Sequence, residues 1–578
     1  MNFAAISHRT TENYIYPVGR NRLVISLSGA RDDLKKVSLV FWPRYATDRS
    51  QRRIVVMDRS LRDRFLDYFR ATIFIDGISA YTRYVFLLEN EKESIWFGKN
   101  GFEKEENEEN FFEFLWPNAT DGYRAPKWAE RQIYYQIFPE RFRNGDSSLT
   151  PENAVAWGSP PTRENFMGGD LKGILEKLDY IQSLGITCIY LTPIFKATSN
   201  HKYDTTDYFD IDPAFGTKED LLQLVKHAHS RQIRILLDGV FNHCGYYWPQ
   251  FQDVVKKGRQ SKYKDWFFPH SFPVHERLQN YDCVGHYKWM PKINLINEEA
   301  KAYFISVGRY WIENFNIDGW RLDVADEVPT EFWEDFSEAI KASKPDALLL
   351  GETWGDAGKL VSINRLDTAM NYLFRDAAVD WLANGKIGPT ELDHRLNRML
   401  ALYQDEVAKR LYNPLDSHDT ARFRWICADK RAHELAVALQ MTIPGCPAVF
   451  YGDEIGLEGG NDPECRLAME WDESKQNREL FAWYQKLIEI RKNSESLISG
   501  DFRSLVCDDE SNVYGFQRST ENETSIVLMN AGAKTYRKTI KADGEWEALI
   551  SGSKKYSSEN GALLIELKPH SVEIFQRK

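Results

Sequence analysis

Four segments of the sequence place an acidic residue directly after a short apolar run of the kind that forms β-strands. The acids of interest are Asp238, Asp323, Glu352 and Asp419, the last in the segment Leu415-Asp-Ser-His-Asp that ends the fourth run. A single acid at such a place is usually a helix cap or a turn residue. In a barrel of parallel strands, however, the carboxyl ends of all the strands meet at one rim. Four such acids therefore predict one site that is assembled from distant parts of the chain.

Cleavage of a glycosidic bond needs a pair of carboxyl groups, one neutral and one charged. The neutral group protonates the departing oxygen, and in a retaining enzyme the charged group attacks the anomeric carbon. Arg321 precedes Asp323 by two residues, so both side chains point to one face of the strand and the arginine favours the ionised carboxylate. Glu352 lies between an apolar run and Trp354, where loss of water raises a carboxyl pKa. The sequence thus favours Asp323 as the charged group and Glu352 as the acid.

These residues can meet only if parallel strands position them, and the middle of the chain has the pattern of such strands. Apolar β runs alternate there with stretches such as 171–184, 219–231 and 298–315, in which apolar residues recur at helical spacing. The alternation predicts an α/β fold: a (β/α)8 TIM barrel at 126–498, with an inserted subdomain at 242–300 after the third strand. The predicted strands are 133–138, 186–192, 233–241, 317–324, 347–351, 366–374, 411–415 and 447–451.

The two ends of the chain have a different texture. Residues 1–122 and 499–578 contain short runs rich in β-branched and aromatic residues, separated by polar turns. Such runs predict an N-terminal β-sandwich and a C-terminal β domain, the latter also a sandwich.

Composition narrows the possible ligands and the compartment. The net charge is 74 − 85 = −11, so no basic surface favours nucleic acid, and the 17 Trp and 28 Tyr suit an uncharged sugar. No signal peptide is evident, and no apolar run reaches the roughly 18 residues of a membrane span, so no membrane association is expected. The seven cysteines are scattered, which indicates free thiols and a cytoplasmic location.

The acidic segments resemble, in order and separation, the four motifs of the α-amylase family, glycoside hydrolase family 13. They read Asp238-Gly-Val-Phe-Asn-His, Gly319-Trp-Arg-Leu-Asp-Val-Ala, Gly351-Glu-Thr-Trp and Ser417-His-Asp. Further segments narrow the resemblance to the neopullulanase, cyclomaltodextrinase and maltogenic amylase group, which also carries a starch-binding-type β domain before the barrel. These segments are Tyr135-Gln-Ile-Phe-Pro-Glu-Arg-Phe, His201-Lys-Tyr-Asp-Thr, Met290-Pro-Lys-Ile-Asn and Asp462-Pro-Glu-Cys-Arg.

The resemblance implies a role for each matching residue. Asp323 corresponds to the nucleophile, Glu352 to the general acid/base and Asp419 to the residue that stabilises the transition state. The remaining matches bind substrate. His243, Arg321 and His418 hydrogen-bond to the cleaved sugar, Tyr203 stacks on it, Asp462 and Arg466 close the donor side, and Glu327 and Trp354 lie on the acceptor side, with Asp238 a further substrate-binding residue.

The implied activity is hydrolysis of α-1,4-glucosidic bonds in maltooligosaccharides, cyclodextrins or pullulan, with transglycosylation. A predominant transglycosylase and an α-1,6-glucosidic hydrolase remain alternatives, as does a non-catalytic relative of the barrel, which the retention of all three catalytic carboxylates disfavours. Relatives carry a substrate-stacking phenylalanine where this chain reads Asp282-Cys-Val, so Tyr287 or Trp289 would have to replace it for cyclodextrin hydrolysis.

The resemblance also implies a calcium site and a homodimer, and no organic cofactor. Calcium would be held by Asn144, Asp146, Gly168 and Asp170, but Leu149 and Thr150 stand where further oxygen donors are expected, which favours a weak site or none. In the resembling group the N-terminal domain covers the active site of a partner subunit. Tyr45 lies in a region that would reach that site, or it is an ordinary surface tyrosine; a homodimer is expected.

Overall fold

The structure, a computed structural model, describes residues 1–11, 13–77, 79–115, 122–123, 125–427, 429–552, 554–558 and 560–577. Within these ranges no helix combines the length and the apolar character that crossing a membrane requires.

The first part of the chain forms two antiparallel sheets packed face to face. Leu23, Ile25, Leu39 and Phe86 belong to the buried core, because alternate residues of each strand point toward it. One sheet has the order β1-β2-β6-β5 and the other β4-β3-β7-β8-β9, with β10 paired to β7. The strands are β1 Ile15–Pro17, β2 Arg22–Ala30, β3 Lys36–Pro43, β4 Arg53–Val56, β5 Asp58–Arg62, β6 Leu66–Phe74, β7 Thr82–Glu89, β8 Ser94–Gly98, β9 Gly101–Glu103 and β10 Phe112–Phe114.

Eight parallel strands follow, in the order β18-β17-β16-β15-β12-β11-β20-β19, and all eight overlap the predicted runs. The ends of this order meet through a parallel bridge between Met370 and Tyr412, which closes the barrel. The predicted (β/α)8 barrel is therefore confirmed. The strands of this part, including one hairpin, are β11 Tyr134–Ile137, β12 Cys188–Leu191, β13 Phe195–Ala197, β14 Thr205–Ile211, β15 Arg234–Gly239, β16 Gly319–Leu322, β17 Leu348–Gly351, β18 Thr368–Ala369, β19 Tyr412–Pro414 and β20 Cys446–Phe450.

The barrel strands are buried on both faces, which explains why they read as continuous apolar runs. In β17, Leu348 and Leu350 join one buried cluster with Tyr134 and Tyr190, whereas Leu349 packs in the large cluster that includes the helices. The side-chain period of two thus fills the inside of the barrel and seals its outer wall at the same time.

Helices surround the barrel, and local capping sets their ends. The helix α4 begins with a reciprocal capping box between Thr217 and Asp220, and α6 ends at Asn316 in the left-handed conformation. The helices are α1 Pro139–Phe142, α2 Leu171–Glu176, α3 Leu178–Leu184, α4 Lys218–Ser230, α5 Pro249–Lys257, α6 Glu298–Phe315, α7 Thr330–Ser343, α8 Tyr372–Ala378, α9 Pro389–Ala401, α10 Asp405–Ala408, α11 Phe423–Ile426, α12 Lys430–Thr442, α13 Arg478–Lys492 and α14 Glu495–Ser499.

Two local features differ from the sequence pattern. The predicted helix 171–184 is split at Lys177, whose ψ of 7° leaves the helical region while its ammonium lies 4.2 Å from the ring centre of Trp471. The antiparallel hairpin of β13 and β14 was not predicted, because its polar strands lack an apolar run.

The segment after the third barrel strand forms a compact lobe. It contains α5 and a few isolated bridges, among them His243 with Lys292 and Phe267 with Ile293. The buried aromatic rings of Trp248, Phe251 and Phe267 hold it together, with Phe251 and Phe267 only 4.8 Å apart. The predicted inserted subdomain is present and forms one wall of the cleft described below.

The last part of the chain is again antiparallel. One sheet has the order β21-β22-β23-β28-β25-β26, and β24 pairs with β27. Val513, Ile526, Leu563 and Ile565 belong to their shared core. The strands are β21 Asp501–Asp508, β22 Val513–Ser519, β23 Thr524–Asn530, β24 Tyr536–Lys541, β25 Glu545–Ala548, β26 Lys554–Ser557, β27 Ala562–Leu567 and β28 Ser571–Arg577.

Candidate active site

The four acids of the sequence motifs lie at the carboxyl ends of barrel strands. Asp238 belongs to β15, Asp323 and Glu352 directly follow β16 and β17, and Asp419 comes five residues after β19 ends. Asp323, Glu352 and Asp419 line one cleft with a volume of ≈ 840 Å³. The register places Asp238 opposite Arg321 on the neighbouring strand. Parallel pairing thus brings together residues that are far apart in the sequence.

Arg321 connects three of the carboxyl groups. Its Nη1 lies 2.9 and 3.0 Å from the two oxygens of Asp238 and 2.8 Å from Oδ1 of Asp323, and its Nη2 lies 2.7 Å from Oε2 of Glu352. The guanidinium is fully buried, so water does not screen these contacts. One fixed positive charge therefore sits at the base of the cleft among three acids.

Arg321 contacts Asp323 and Glu352 in different ways. Burial raises the pKa of both carboxyl groups, and Arg321 opposes the rise. Because the two carboxyl groups share one guanidinium, ionisation of one raises the pKa of the other. Arg321 donates a hydrogen bond to Asp323, whereas its short contact with Glu352 lacks hydrogen-bond geometry. The hydrogen-bond geometry toward Arg321 therefore favours Asp323, rather than Glu352, as the charged group.

Val324 holds the two carboxyl groups in register. It has a φ of 45°, in the left-handed region that a β-branched residue rarely adopts. In this conformation its N–H donates to Oε2 of Glu352 at 3.0 Å, directly beside Asp323. Backbone strain of this kind costs roughly 1–3 kcal/mol and persists where the surrounding structure enforces it.

His418 and Tyr203 form the next layer of the site. Gln136 donates to Nδ1 of His418 at 2.6 Å, which leaves the imidazole proton on Nε2, facing Tyr203 Oη at 2.6 Å and Asp419 Oδ2 at 3.2 Å. Tyr203 in turn donates to Asp238 at 3.0 Å. Burial and the nearby arginines lower the pKa of His418 far below its usual value, so the ring is a neutral donor.

His243 faces the nucleophile position without a fixed partner. Its Nε2 lies 4.0 Å from Oδ2 of Asp323, and neither ring nitrogen has a hydrogen-bond partner among the residues that the structure describes. Burial lowers its pKa to about 3. A buried, neutral imidazole with both nitrogens free can bind a sugar hydroxyl beside the reacting carbon.

One end of the cleft is closed by charged side chains. Arg466 Nη2 lies 3.3 Å from Asp419, and its Nη1 lies 2.9 Å from Oδ1 of Asp462. Arg163 Nη2 approaches Oδ2 of Asp462 at 3.2 Å from the opposite side. Asp462 and Arg466, both predicted site residues, line the cleft together with Arg163, which the sequence did not reveal.

Aromatic side chains line another part of the cleft. Trp354 stacks on Tyr372 at 4.1 Å and 11°, with half of its surface exposed. Glu327, which the sequence predicted for the acceptor side, pairs with Lys292 at 3.0 Å and lies outside the lining of the cleft. The inserted subdomain contributes a rim of rings that line the cleft: the partly buried Tyr246 and the exposed Tyr247, Tyr287 and Trp289. Tyr287 and Trp289, the predicted substitutes for the missing phenylalanine, both belong to this rim.

Several site residues escaped the sequence prediction. Gln136 lies in the Tyr135-Gln motif, and that motif was the only sequence signal for it. Tyr190, which donates to Asp238 at 2.6 Å, is an inward residue of the second barrel strand and reads as core. Tyr372 is the first residue of a helix and gives no signal until Trp354 is seen to lie on it.

The two carboxylates of the predicted calcium segment, Asp146 and Asp170, accept hydrogen bonds within the protein. Asp170 accepts hydrogen bonds from the N–H groups of Gly145, Asp146 and Gly173 at 2.7–3.0 Å, and so caps α2. Asn144 donates its amide to Thr150 at 2.7 Å. A carboxylate that accepts three amides has little capacity left for a cation.

A cation of the protein already stands beside this segment. The Lys172 ammonium lies 3.3 Å from Oδ2 of Asp146. Calcium takes six to eight oxygen ligands, and within the described ranges no cluster of three or more His, Cys, Asp or Glu side chains could hold a metal ion. The residues present do not fit a bound calcium ion.

Comparison with known proteins places these observations in a family. The model of the α-amylase catalytic domain matches residues 136–500, and the model of the α-amylase N-terminal Ig-like domain matches residues 1–118. The chain is 41% identical to a cyclomaltodextrinase of Geobacillus thermopakistaniensis (strain MAS1) over 585 residues, covering 100% of this chain and 99% of the relative.

Two further matches extend over almost the full length. Neopullulanase 2 of Thermoactinomyces vulgaris is 39% identical over 580 residues, covering 99% of this chain and 98% of the relative. The solved structure of a cyclomaltodextrinase superposes with a TM-score of 0.95 at 36% identity and covers 100% of both chains. The similarity therefore includes the flanking β domains as well as the barrel.

Proposed function

The chain belongs to the α-amylase family of glycoside hydrolases, and from this premise we propose that it cleaves α-1,4-glucosidic bonds with retention of configuration. The observation that carries the proposal is the buried Arg321, which contacts both Asp323 and Glu352 at the base of the cleft. One guanidinium between two carboxyl groups on adjacent strands favours a charged group next to a protonated one, which is the pair that the retaining reaction requires.

In the proposed first step, Glu352 gives its proton to the glycosidic oxygen while Asp323 attacks the anomeric carbon. The C–O bond to the leaving sugar breaks, and an ester bond between Asp323 and the donor sugar forms. In the second step the Glu352 carboxylate takes a proton from water, whose oxygen attacks the anomeric carbon and releases Asp323. Both carboxyl groups return to their starting states.

The surrounding polar groups are proposed to hold the donor sugar during this reaction. Asp419 and His243 line the cleft with polar groups, Tyr203 provides a ring face, and His418 lies 3.2 Å from Asp419. Hydrogen bonds to sugar hydroxyls that strengthen as the ring flattens stabilise the transition state more than the ground state.

We propose that the substrates are maltooligosaccharides, cyclodextrins and pullulan. The cyclomaltodextrinase and neopullulanase to which the chain is similar support this substrate range. The exposed rings of Tyr247, Tyr287 and Trp289 at the cleft are suited to the apolar faces of glucose units.

The test incubates the purified protein with maltotriose, β-cyclodextrin and pullulan, and separates the products by chromatography. Cleavage of α-1,4 bonds in pullulan releases panose, whereas cleavage of α-1,6 bonds releases maltotriose, so the same experiment decides between these alternatives. The variant Asp323→Asn is the inactive control. If none of the three substrates is cleaved while the wild-type protein is folded, the proposal is wrong.

Transfer to a second sugar is the further activity that the acceptor side supports. Glu327 lies between Lys292 at 3.0 Å and the Asn242 amide at 3.5 Å, with nearly half of its side chain exposed. A carboxylate held in this way can bind the hydroxyls of an acceptor sugar in competition with water. We expect Glu327→Gln to lower the ratio of transfer to hydrolysis, whereas Glu331→Gln, on an outer helix, leaves it unchanged.

A homodimer and a cytoplasmic location remain proposals. The N-terminal domain exposes Tyr45, Ile54, Val56 and Phe74, which supports contact with a second subunit. Light scattering that gives the 67.3 kDa of one chain would disprove the dimer. All seven cysteines are free, which supports a reducing compartment; cell fractionation tests it.

A further inference from the structure

The wall that closes the donor end of the cleft consists of one aspartate between two arginines. Arg466 Nη1 lies 2.9 Å from Oδ1 of Asp462, and Arg163 Nη2 lies 3.2 Å from Oδ2 of the same carboxylate. Arg163 and Asp462 are about 300 residues apart in the sequence (462 − 163 = 299) and come from two different loops over the barrel. We propose that Arg163 is the movable half of this wall and determines how many glucose units bind on the donor side.

The Arg466 half of the wall is fixed. Only 9% of the Arg466 side chain is exposed, and its Nε donates to the His418 carbonyl at 2.8 Å. Arg422 donates to the neighbouring Cys465 carbonyl at 2.9 Å. The loop is also tightly packed, since a Cβ at Gly459 would lie 2.5 Å from the Glu464 carbonyl oxygen. Arg466 and Asp462 therefore cannot leave the wall without disturbing the catalytic loop.

The turn that carries Arg163 is held through backbone carbonyls of neighbouring residues. Asn200 donates to the carbonyls of Thr162 and Asn165 at 3.2 and 2.8 Å, and Arg141 donates to the Asn165 carbonyl at 2.9 Å. These bonds fix the turn that carries Arg163 while leaving its side chain 54% exposed. A half-exposed arginine in a solvent-screened ion pair can swing away at little cost, unlike the buried Arg466.

The inference rests on the proposed function, because the ligand it concerns is the non-reducing end of an α-glucan. With the Arg163–Asp462 pair closed, the terminal glucose meets a charged wall whose donors and acceptors can bind its hydroxyls. With the pair open, a longer donor passes beyond Asp462 into solvent. The closed pair thus limits the number of glucose units that bind on the donor side and favours the release of short products.

The experiment measures the product lengths from a series of maltooligosaccharides labelled at the reducing end, using wild-type protein, Arg163→Ala and Arg163→Lys. We expect Arg163→Ala to raise the share of the longer of the donor-side products by about threefold, the scale of one exposed ion pair. Arg163→Lys should restore most of the wild-type pattern. The matched control is Arg309→Ala, which removes an equally exposed arginine from its pair with Glu313 on the outer face of α6.

A second measurement needs no variant. High salt screens an exposed ion pair, so the wild-type product pattern should shift toward that of Arg163→Ala as sodium chloride is raised, and the pattern of Arg163→Ala should stay constant. If Arg163→Ala gives the wild-type pattern at low salt, the inference is overturned although the proposed function stands. If the wild-type protein cleaves no glucan at all, the proposed function fails first.

Discussion

Arg321 is the residue whose replacement most directly tests the electrostatics of the cleft. Its planar guanidinium contacts Asp238 and Asp323 through one nitrogen and Glu352 through the other. A lysine keeps the charge but presents a single point of contact, so it cannot reproduce this geometry. The ionised state of Asp323 therefore loses much of its stabilisation in Arg321→Lys.

We expect Arg321→Lys to lower kcat by about 10²-fold or more, the effect of losing one preorganised charge contact. Burial already raises the pKa of Asp323, and weaker opposition by residue 321 raises it further. Because the nucleophile must be ionised, activity is lost as the pH falls through that pKa, so the acidic limb of the kcat/KM profile should move to higher pH. The control is Arg234→Lys, whose arginine pairs with Asp318 at the opposite end of the strands.

At the same scale, the sequence predicted the acids better than their neighbours. Asp238, Asp323 and Glu352 could be found because each comes at the end of a recognisable apolar run, and parallel strands align such ends. Gln136 and Arg163 could not be found from spacing. Their partners, His418 and Asp462, lie 282 and 299 residues further along the chain, and only the closed barrel brings them together.

At the scale of elements, the loop after the seventh barrel strand is joined to the donor loop by Arg422. This fully buried arginine donates to Asp453 and to the Tyr451 carbonyl at 2.8 Å, and its Nε donates to the Cys465 carbonyl at 2.9 Å. Burial and the nearby charge of Asp416 raise the pKa of Asp453 well above its usual value. The positive charge of Arg422 therefore offsets the buried acids Asp453 and Asp416 in the part of the structure that carries Asp419 and Arg466.

We expect Arg422→Met to reduce the free energy of unfolding by about 3–5 kcal/mol, because it leaves a buried acid without its cation. The variant should also raise KM, since the donor loop loses its anchor. Urea unfolding and steady-state kinetics measure the two effects separately. The same substitution at Arg424, which is partly exposed and pairs with Glu458, should leave stability within about 0.5 kcal/mol of the wild type.

The loop at residues 144–172 provides a prediction about metal removal. Asp170 accepts three backbone N–H groups and Lys172 neutralises Asp146, so the segment is stabilised by its own side chains. We expect a chelator to leave the melting temperature and activity unchanged and Asp170→Ala to cost about 1–2 kcal/mol as a lost helix cap. Melting curves with EDTA and with added calcium check this; a large loss of stability with EDTA would show that a metal is bound.

Element boundaries were predictable where the chain carries its own signal. The stretch 298–315 coincides with α6, which is fixed by the Asn297 cap and the left-handed Asn316. The hairpin of β13 and β14 was missed because its strands are partly exposed and polar, and its shape depends on the packing of Phe195 against Trp311. Tertiary contacts of this kind leave no periodic pattern in the sequence.

For the whole molecule, buried neutral histidines make the free energy of unfolding depend on pH. His8 in the N-terminal sandwich and His433 beside the barrel are both buried, and burial lowers their pKa to about 4 and about 3. The unfolded chain takes up a proton near pH 6.5, so each histidine contributes stability above that pH which is lost as the pH falls toward the folded-state value.

At pH 5 the expected loss is about 2 kcal/mol for each of these two histidines, relative to pH 7. His433 packs between Phe423 and Tyr484, and neither of its nitrogens has a partner among the described residues. Between pH 7 and pH 5, the free energy of unfolding of the variant His433→Leu should therefore fall by about 2 kcal/mol less than that of the wild type. Denaturant titrations at pH 7 and pH 5 measure this free energy, and an equal loss for the two proteins would contradict the assignment.

The closure of the barrel has one more consequence. Between β18 and β19 the backbone contributes a single parallel bridge, Met370 with Tyr412, together with the Asn371 N–H that donates to the Tyr412 carbonyl at 2.7 Å. Side chains complete this seam: the Asn371 amide donates to Asn413 at 2.7 Å, and Thr368 donates to the Arg410 carbonyl at 2.7 Å. A ladder with so few backbone bonds opens more readily than its neighbours.

Amide hydrogen exchange should therefore be fastest along this seam among the barrel strands. The seam also divides the cleft, because Glu352 and Trp354 follow β17 on one side and Asp419 follows β19 on the other. Trp354 stacks on Tyr372 on the first of these sides, and the Tyr372 hydroxyl spans the seam to lie 3.0 Å from that of Ser417. A sugar that contacts both sides would hold them together, so bound ligand should slow amide exchange at the seam without touching β18 or β19 themselves.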